Sequence, residues 1–271
     1  MLKYILQLCL ALIFVNQIKS QELFTLTEPA SNMPARSIGF RMNQSLMKAE
    51  LGNEKAYHLL PEIMLGLKGK WMVHAEGFFS NRNKSIAIEG AQAYLKYRFL
   101  SVDEVHSHFR VALFGRYAIN NADIHQDAID LNGHNTGAEV GLVMTQLLHK
   151  VALSASASFV QASNNRNEKG YEIDKSKAEA CNFTFSIGKL MLPKEYKTYK
   201  QTNLNLMMEF PGQTNIQTGR TFLDMAPIVQ LIFFSQMRMD LAYRFPLVND
   251  LSRTYPRGWL LRLEYTLFNQ W

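Results

Sequence analysis

The C-terminal stretch Gly258–Trp271 reads G-W-L-L-R-L-E-Y-T-L-F-N-Q-W and carries the pattern from which we predict the fold of this chain. Apolar and aromatic residues recur at alternate positions, and Arg262, Glu264 and Thr266 lie between them. Because successive side chains of a β-strand point to opposite faces, a period of two predicts a strand with one apolar and one polar face. The printed sequence ends on Trp271 without a polar tail. We therefore expect a closing strand whose apolar face lies outward.

The same alternation recurs in eleven segments before this one. The clearest is Met237–Phe245, in which Arg238, Asp240 and Arg244 oppose an apolar face. The least clear is Asp224–Phe234, because both of its faces are apolar. The other segments are the stretch from Ser37 to Asn43, Glu62–Leu67, Trp71–Phe79, Gly90–Leu100, Phe109–Ala118, Gly137–Leu147, Lys150–Ala162, Lys177–Lys189 and Asn203–Phe210.

Links of alternating length connect these segments. The even-numbered links are expected to be short, as at Lys68-Gly69 and Leu148-His149, whereas the odd-numbered links are expected to have about seven residues or more. Leu190–Thr202 is the exception among the even links. Short turns on one side and longer loops on the other are typical of transmembrane β-barrels. The pattern predicts an all-β fold: a single closed antiparallel up-and-down transmembrane barrel of about twelve strands.

The N-terminal residues predict export. Residues 1–20 combine Lys3 with an apolar run from Tyr4 to Val15 and a small residue, Ser20, which is the layout of a cleavable signal peptide. Residues 21–36 contain two prolines and show no period, so we interpret them as a periplasmic arm, either outside the barrel or tucked into it, with the barrel over residues 37–271. Removing residues 1–20 lowers the formal charge from +6 to +4, because they hold two lysines and no acidic residue. This small excess on an exported chain gives no reason to expect a nucleic-acid partner.

A terminal strand with an apolar outer face and a final aromatic residue resembles the closing strand of bacterial outer-membrane β-barrels. The resemblance covers residues 37–271 and implies a small porin-like or transporter-like barrel in the outer membrane of a Gram-negative cell. In that family the last strand pairs with the first and is read by the barrel assembly machinery, and the outer face contacts lipid and lipopolysaccharide. Residues 27–41 (T-E-P-A-S-N-M-P-A-R-S-I-G-F-R) and 145–154 (T-Q-L-L-H-K-V-A-L-S) also resemble barrels of Bacteroidota.

A secreted or periplasmic β-sandwich is the main alternative fold, because it also shows alternation and polar turns. The barrel is favoured because the strands run to about 9–13 residues, whereas strands of soluble sheets average about 5–6. Aromatic residues on outward positions near strand ends also suit the interfacial girdles of a barrel.

The inward face is predicted to carry charges of both signs. The candidate pore-lining residues are Arg41, Glu76, Lys96, Arg98, Arg116, Glu139, Glu209, Arg238, Asp240, Arg244, Arg262 and Glu264. Buried charges are costly unless they are hydrated or paired, so one interpretation is a salt-bridged wall in which Arg238, Asp240 and Arg244 form a cluster beside Arg262 and Glu264. The other is a narrow aqueous path whose arginines favour anionic solutes.

Asn120–Thr136 is the loop richest in possible metal ligands, with three aspartates and two histidines. It lacks the spacing of a calcium loop, so a solvated polar loop is expected and no metal site is predicted. Twelve-stranded outer-membrane phospholipases carry a His, a Ser and an Asn on the outer wall. Here His74 is expected to point inward, and no partner for a triad with Ser80 is evident, so no catalytic residues, no enzyme activity and no cofactor are predicted.

The function expected from the sequence is passage of a small solute across the outer membrane, with a possible preference for anions. The alternative is a non-conducting structural barrel, or one that binds a partner through its loops, especially 120–136 and 163–176. A plugged lumen would favour this alternative.

Overall fold

The computed structural model describes residues 24–49, 55–81, 86–105, 107–123, 126–166, 173–195, 198 and 201–271. The expected signal segment, residues 1–20, lies outside the described residues. Within the described ranges, no helix has the length and apolar character needed to cross a membrane.

The described residues form twelve antiparallel strands joined into one closed barrel, which confirms the predicted fold class. Each strand pairs with its neighbours in sequence, as in an up-and-down barrel. The strands are Ser37–Lys48 (β1), Lys55–Leu67 (β2), Trp71–Ser80 (β3), Ala87–Asp103 (β4), Ser107–Asn120 (β5), Thr136–Leu148 (β6), Val151–Ser163 (β7), Glu179–Leu192 (β8), Asn203–Asn215 (β9), Thr221–Phe233 (β10), Met237–Asn249 (β11) and Arg257–Leu267 (β12).

The barrel closes where β1 pairs with β12, so the stretch that predicted the fold is also its seam. Opposite charges face each other across this seam, since Arg41 is the register partner of Glu264. On its other side β12 meets β11, where Arg238 lies opposite Glu264 and Asp240 opposite Arg262. Full closure removes the unpaired edges that an open sheet would expose.

The two faces of the wall differ as the period of two predicts. Outward side chains are apolar and exposed, for example Phe40, Leu263 and Trp259. Inward polar groups are buried, and Lys96 and Asp240 are both 0% exposed. An apolar outer face around a polar interior is the arrangement of a transmembrane barrel.

Five links lie at one end of the barrel, which we call the short-turn end: 68–70, 104–106, 149–150, 193–202 and 234–236. The other six lie at the long-loop end: 49–54, 81–86, 121–135, 164–178, 216–220 and 250–256. The prediction that every long-loop link has about seven residues or more is wrong, because three of them have five or six. β9 runs through Pro211 to Asn215, so the strands extend into segments that we had expected to be loop.

Candidate functional site

Residues 24–33 of the N-terminal arm lie inside the barrel, and residues 34–36 are exposed where the arm joins β1. Its first described residue, Phe24, is 1% exposed and packs against Met207, Ile228 and Ala242 of the wall. The carbonyl oxygen of Phe24 accepts hydrogen bonds from Arg238 Nη2 at 2.7 Å and from the Arg262 guanidinium at 3.1 Å. Two arginines predicted to face the pore are therefore occupied by arm backbone.

Glu209 on β9 holds the arm most extensively. Its carboxylate accepts backbone N–H groups from Thr25 at 2.6 Å, Leu26 at 3.1 Å and Thr27 at 2.8 Å. Glu209 is 0% exposed, and a buried carboxylate is stable only when such donors surround it. Ser186 Oγ also donates to Glu209 at 3.2 Å. The arm thus supplies the partners that this inward charge requires.

Lys96 on β4 holds the next part of the arm. Its ammonium donates to the carbonyl oxygens of Pro29 at 2.6 Å and Ser31 at 2.9 Å, and it lies 3.6 Å from Glu28. Arg110 Nη1 donates to Ser31 Oγ at 2.8 Å. Past this point, Met33 packs among methionines of β2 and β3. From Phe24 to Met33 the arm therefore contacts most of the circumference of the barrel.

Arg41 is the centre of a buried ion-pair network between the wall and the arm. Its guanidinium lies 2.9 Å from Glu264, 3.0 Å from Glu62 and 3.2 Å from Glu28. A second arginine, Arg238, lies 3.7 Å from the same Glu264. Desolvation offsets much of the Coulombic gain of such buried pairs, but removal of one partner would leave an uncompensated buried charge, so the network ties the arm to the wall.

A cavity of about 370 Å³ lies between the arm and the long-loop end. The arm contributes Thr25 to Glu28 to its lining, and the loop 121–135 contributes residues 126, 128–132 and 134. The volume falls in the range of small-molecule sites, roughly 300–1,000 Å³. The cavity is therefore bounded by the wall, by these two segments and by Arg253 and Tyr255 of the link 250–256.

The loop 121–135 folds into the mouth of the barrel, so the expectation of a solvated polar loop is wrong for residues 128–131. Ala128, Ile129 and Leu131 are buried, and the backbone N–H and carbonyl of Ile129 bond the Gln213 amide on β9, both at 2.8 Å. The backbone N–H of Asp127 donates to Ser252 O at 3.0 Å, so the loop extends from β5 and β6 to the β11–β12 link. The aspartates of this loop favoured a position in solvent, but its apolar residues are the ones that place it inside the barrel.

Asp127 and Asp130 of the loop contact basic side chains. Asp127 lies 2.8 Å from Lys177, and Asp130 lies 3.2 Å from His134. Burial raises the pKa of Asp130, but the hydrogen bond from His134, its charge and the N–H of Asn132 together hold that pKa well below its usual value. Among the described residues no group of three or more His, Cys, Asp or Glu side chains is arranged to hold a metal ion. His125 lies outside the described residues.

The twelve predicted lining residues separate into groups. Six line the cavity, namely Arg41, Glu76, Arg116, Glu139, Arg244 and Arg262. Five lie around or beneath the arm, namely Lys96, Glu209, Arg238, Asp240 and Glu264, and so do not face the cavity.

Arg98 and Arg244 differ most from the prediction. Arg98 lies at the short-turn end, where it donates to Gly69 O at 2.9 Å, because β4 continues past the lumen.

Arg244 is separate from the Arg238–Asp240 pair and lies 3.5 Å from Asp224. Asp224, which is 0% exposed, also accepts from Arg253 Nη1 at 2.5 Å. The predicted cluster on β11 is therefore two clusters, one at the arm and one near the mouth.

Several lining residues were missed by sequence reasoning. Arg253 belongs to a link and Gln213 to a strand end beyond the predicted boundary, so neither showed a period. A signal existed for Arg253, because an aspartate in the apolar strand β10 requires a cation. No register could be derived for the arm residues, since the arm shows no period and many of its contacts are made by backbone groups, although Glu28 also pairs with Arg41 through its side chain.

His74 and Ser80, the His and the Ser considered for a lipase-like triad, each contact a glutamate. His74 is 4% exposed, points inward as predicted and contacts Glu62 through Nδ1. Ser80 Oγ donates to Glu89 at 2.5 Å. Neither lies on the outer wall.

Solved structures similar to this chain are bacterial outer-membrane barrels. An outer membrane channel from Pseudomonas putida F1 matches with a TM-score of 0.60 at 10% identity, over 91% of this chain and 100% of that one. The NanC porin matches with a TM-score of 0.47 at 9% identity, over 85% and 98%. Outer membrane phospholipase A from Escherichia coli matches with a TM-score of 0.45 at 9% identity, over 93% and 96%. No protein-family model matches the chain, and no curated protein matches it. At these identities the likeness to the Pseudomonas channel shows the fold alone.

Proposed function

We propose that this chain is a narrow porin-like channel of the outer membrane that passes a small polar solute, with the N-terminal arm restricting the short-turn end. The observation that carries the proposal is the cavity of about 370 Å³, which lies inside a closed barrel and is lined by charged side chains. Charges that line a lumen and are not fully paired favour water and polar solutes over lipid. The fold shared with an outer membrane channel agrees with this function.

Planar-bilayer recording of the refolded full chain tests the proposal. We expect discrete conductance steps, small in comparison with those of sixteen-stranded porins, because a twelve-stranded lumen is narrower. Heat-dependent migration on a denaturing gel provides the control that the barrel is folded. A folded preparation that inserts into the bilayer without any conductance would contradict the proposal.

A non-conducting barrel that binds a partner through its loops is the second candidate. The arm inside the lumen favours it, because Glu209 and Lys96 hold the arm by at least five hydrogen bonds. Deleting residues 126–133 separates the two candidates. A channel should conduct at least as well without that part of the loop, whereas a loop-mediated binder should lose its partner while the barrel remains folded.

The preference for anions remains a prediction. Among the described lining residues, the arginines 41, 116, 244, 253 and 262 are balanced by Glu28, Glu62, Glu76, Asp130 and Glu139. Net charge of the lining therefore gives no support to anion selectivity. The reversal potential across a potassium chloride gradient measures the preference directly.

The cellular setting follows from the same proposal. Residues 1–20 would direct export and be removed, β12 would be read by the barrel assembly machinery, and the apolar outer face would contact outer-membrane lipid and lipopolysaccharide. Membership of a Bacteroidota family of small porin-like barrels is part of this proposal, as is the absence of enzyme activity. Mass spectrometry of the exported chain tests this setting, and we expect it to show a mature N-terminus at Gln21.

A further inference from the structure

Two charged residues of the cavity lack the partners that the other charges have. Most lining carboxylates contact a cation, as Glu62 contacts Arg41 at 3.0 Å and Asp130 contacts His134 at 3.2 Å. Among the described residues, neither Glu76 nor Arg262 forms an ion pair. Both are lining residues of the cavity. A charge inside a barrel that is hydrogen-bonded only to neutral groups is poorly compensated, so these two are the groups that a ligand would compensate best.

Asn43 connects the two charges and fixes the distance between them. Its amide nitrogen donates to Glu76 Oε1 at 3.2 Å, and its Oδ1 accepts from Arg262 Nε at 2.7 Å. The neutral Asn43 side chain therefore lies between Glu76 and Arg262, in the place of a direct ion pair. The carboxylate and the guanidinium are held apart on one wall of the cavity, with Asn43 between them.

Gln92 adds an unsatisfied acceptor beside Glu76. Its amide nitrogen donates to the Glu76 carboxylate and to Asn132 Oδ1, so its orientation is fixed by two acceptors. Within the described part of the chain, the oxygen Gln92 Oε1 is buried and has no hydrogen-bond partner. Native proteins rarely leave such an atom unpaired. The position next to Glu76 thus presents two acceptors, which suits an ammonium group with its three donors.

Arg262 presents the opposite chemistry on the same wall. Its Nε and Nη1 atoms are engaged by Asn43 and by the carbonyl oxygen of Phe24, both neutral groups. Because these bonds use Nε and Nη1 and both acceptors are neutral, the guanidinium keeps its charge, and a carboxylate would accept a hydrogen bond from Nη2.

We propose that the cavity is a binding site for a small zwitterion, whose ammonium group contacts Glu76 and Gln92 and whose carboxylate contacts Arg262. The proposal deepens the proposed function by naming a solute class, and it rests on that function only in taking the cavity to be accessible from solution. A zwitterion would supply both missing counter-charges without adding net charge to the lumen.

Calorimetric titration of the detergent-folded full chain tests this proposal with three probes of equal chain length: 5-aminovalerate, valerate and pentylamine. We expect 5-aminovalerate to bind about ten-fold more tightly than either of the others, or better, since each charge-assisted contact contributes about this factor. Glu76→Gln should lower its affinity to about that of valerate, and Arg262→Gln to about that of pentylamine. Arg262→Lys, which keeps the charge, should retain part of the affinity.

Glu104→Gln and Arg257→Gln are matched controls, because both residues are exposed and neither lines the cavity. Equal affinities for the three probes, or unchanged binding of 5-aminovalerate to folded Glu76→Gln and Arg262→Gln, would overturn the proposal. Because binding is measured without a membrane, the two proposals fail separately. Binding without conductance would contradict the channel alone, and conductance without selective binding would contradict the zwitterion site alone.

Discussion

At the scale of single residues, Glu209 is the main anchor of the arm. Glu209→Gln would place an amide donor where three backbone N–H groups need an acceptor. Hydrogen bonds to a charged group contribute about 1.5–3 kcal/mol, so we expect arm docking to weaken by about this amount. The rate at which a maleimide modifies a cysteine introduced at Leu26, in a Cys181→Ser background, measures the change.

The corresponding control is Glu104→Gln in the same background, which changes an exposed carboxylate at the short-turn end. It should leave the rate of modification at position 26 unchanged. Equal rates in the Glu209 variant and the unmodified barrel would show that the carboxylate does not anchor the arm.

Individual residues were predictable where the period of two applied. The inward positions of Arg238, Asp240, Arg262 and Glu264 follow directly from alternation, and the register places them opposite one another. Ion pairs within the wall, such as Arg238 with Asp240 and with Glu264, agree with this alternation and register, whereas the contacts with the arm were not predictable because the arm shows no period. The backbone of Phe24, for example, has no side-chain feature that indicates a contact with two arginines more than 200 residues away.

At the scale of elements, the loop 121–135 depends on Gln213. Gln213→Leu would leave the N–H and the carbonyl of Ile129 without partners inside the mouth, where each lost bond costs about 1–3 kcal/mol. We expect the loop to be released and cleaved faster by a protease added to the folded barrel. Gln230→Leu is the matched control, since Gln230 is equally buried but bonds Asn205 on the wall. Equal cleavage rates in the two variants would contradict this role of Gln213.

The strands were predicted more accurately than their ends and than the loop that folds into the barrel. Alternation predicted the strands clearly at every segment except Asp224–Phe234, which has two apolar faces. The strand end near Pro211 was not predicted, because proline and glycine normally indicate a turn. The direction in which a loop folds is set by long-range contacts such as Ile129 with Gln213. The polar composition of the loop 121–135, taken alone, favoured a position in solvent.

At the scale of the whole molecule, closure of the barrel and its two chemically distinct faces were predictable, whereas the filling of the lumen was not. Alternation specifies an inward polar face, and buried charge then requires partners. The sequence does not specify whether water, a neighbouring strand or another segment provides them. Here the arm and one loop do so, and the cavity is the volume that they leave.

A reversible cross-link between arm and wall tests whether the arm restricts a path through the barrel. Thr27 Oγ1 and Ser186 Oγ lie 3.1 Å apart, so cysteines at both positions, in a Cys181→Ser background, are placed to form a disulfide between arm and wall. We expect low conductance in the oxidised barrel and a higher conductance or open probability after reduction, with neither single-cysteine variant responding to reductant. Identical conductance before and after reduction of a verified cross-link would contradict the account.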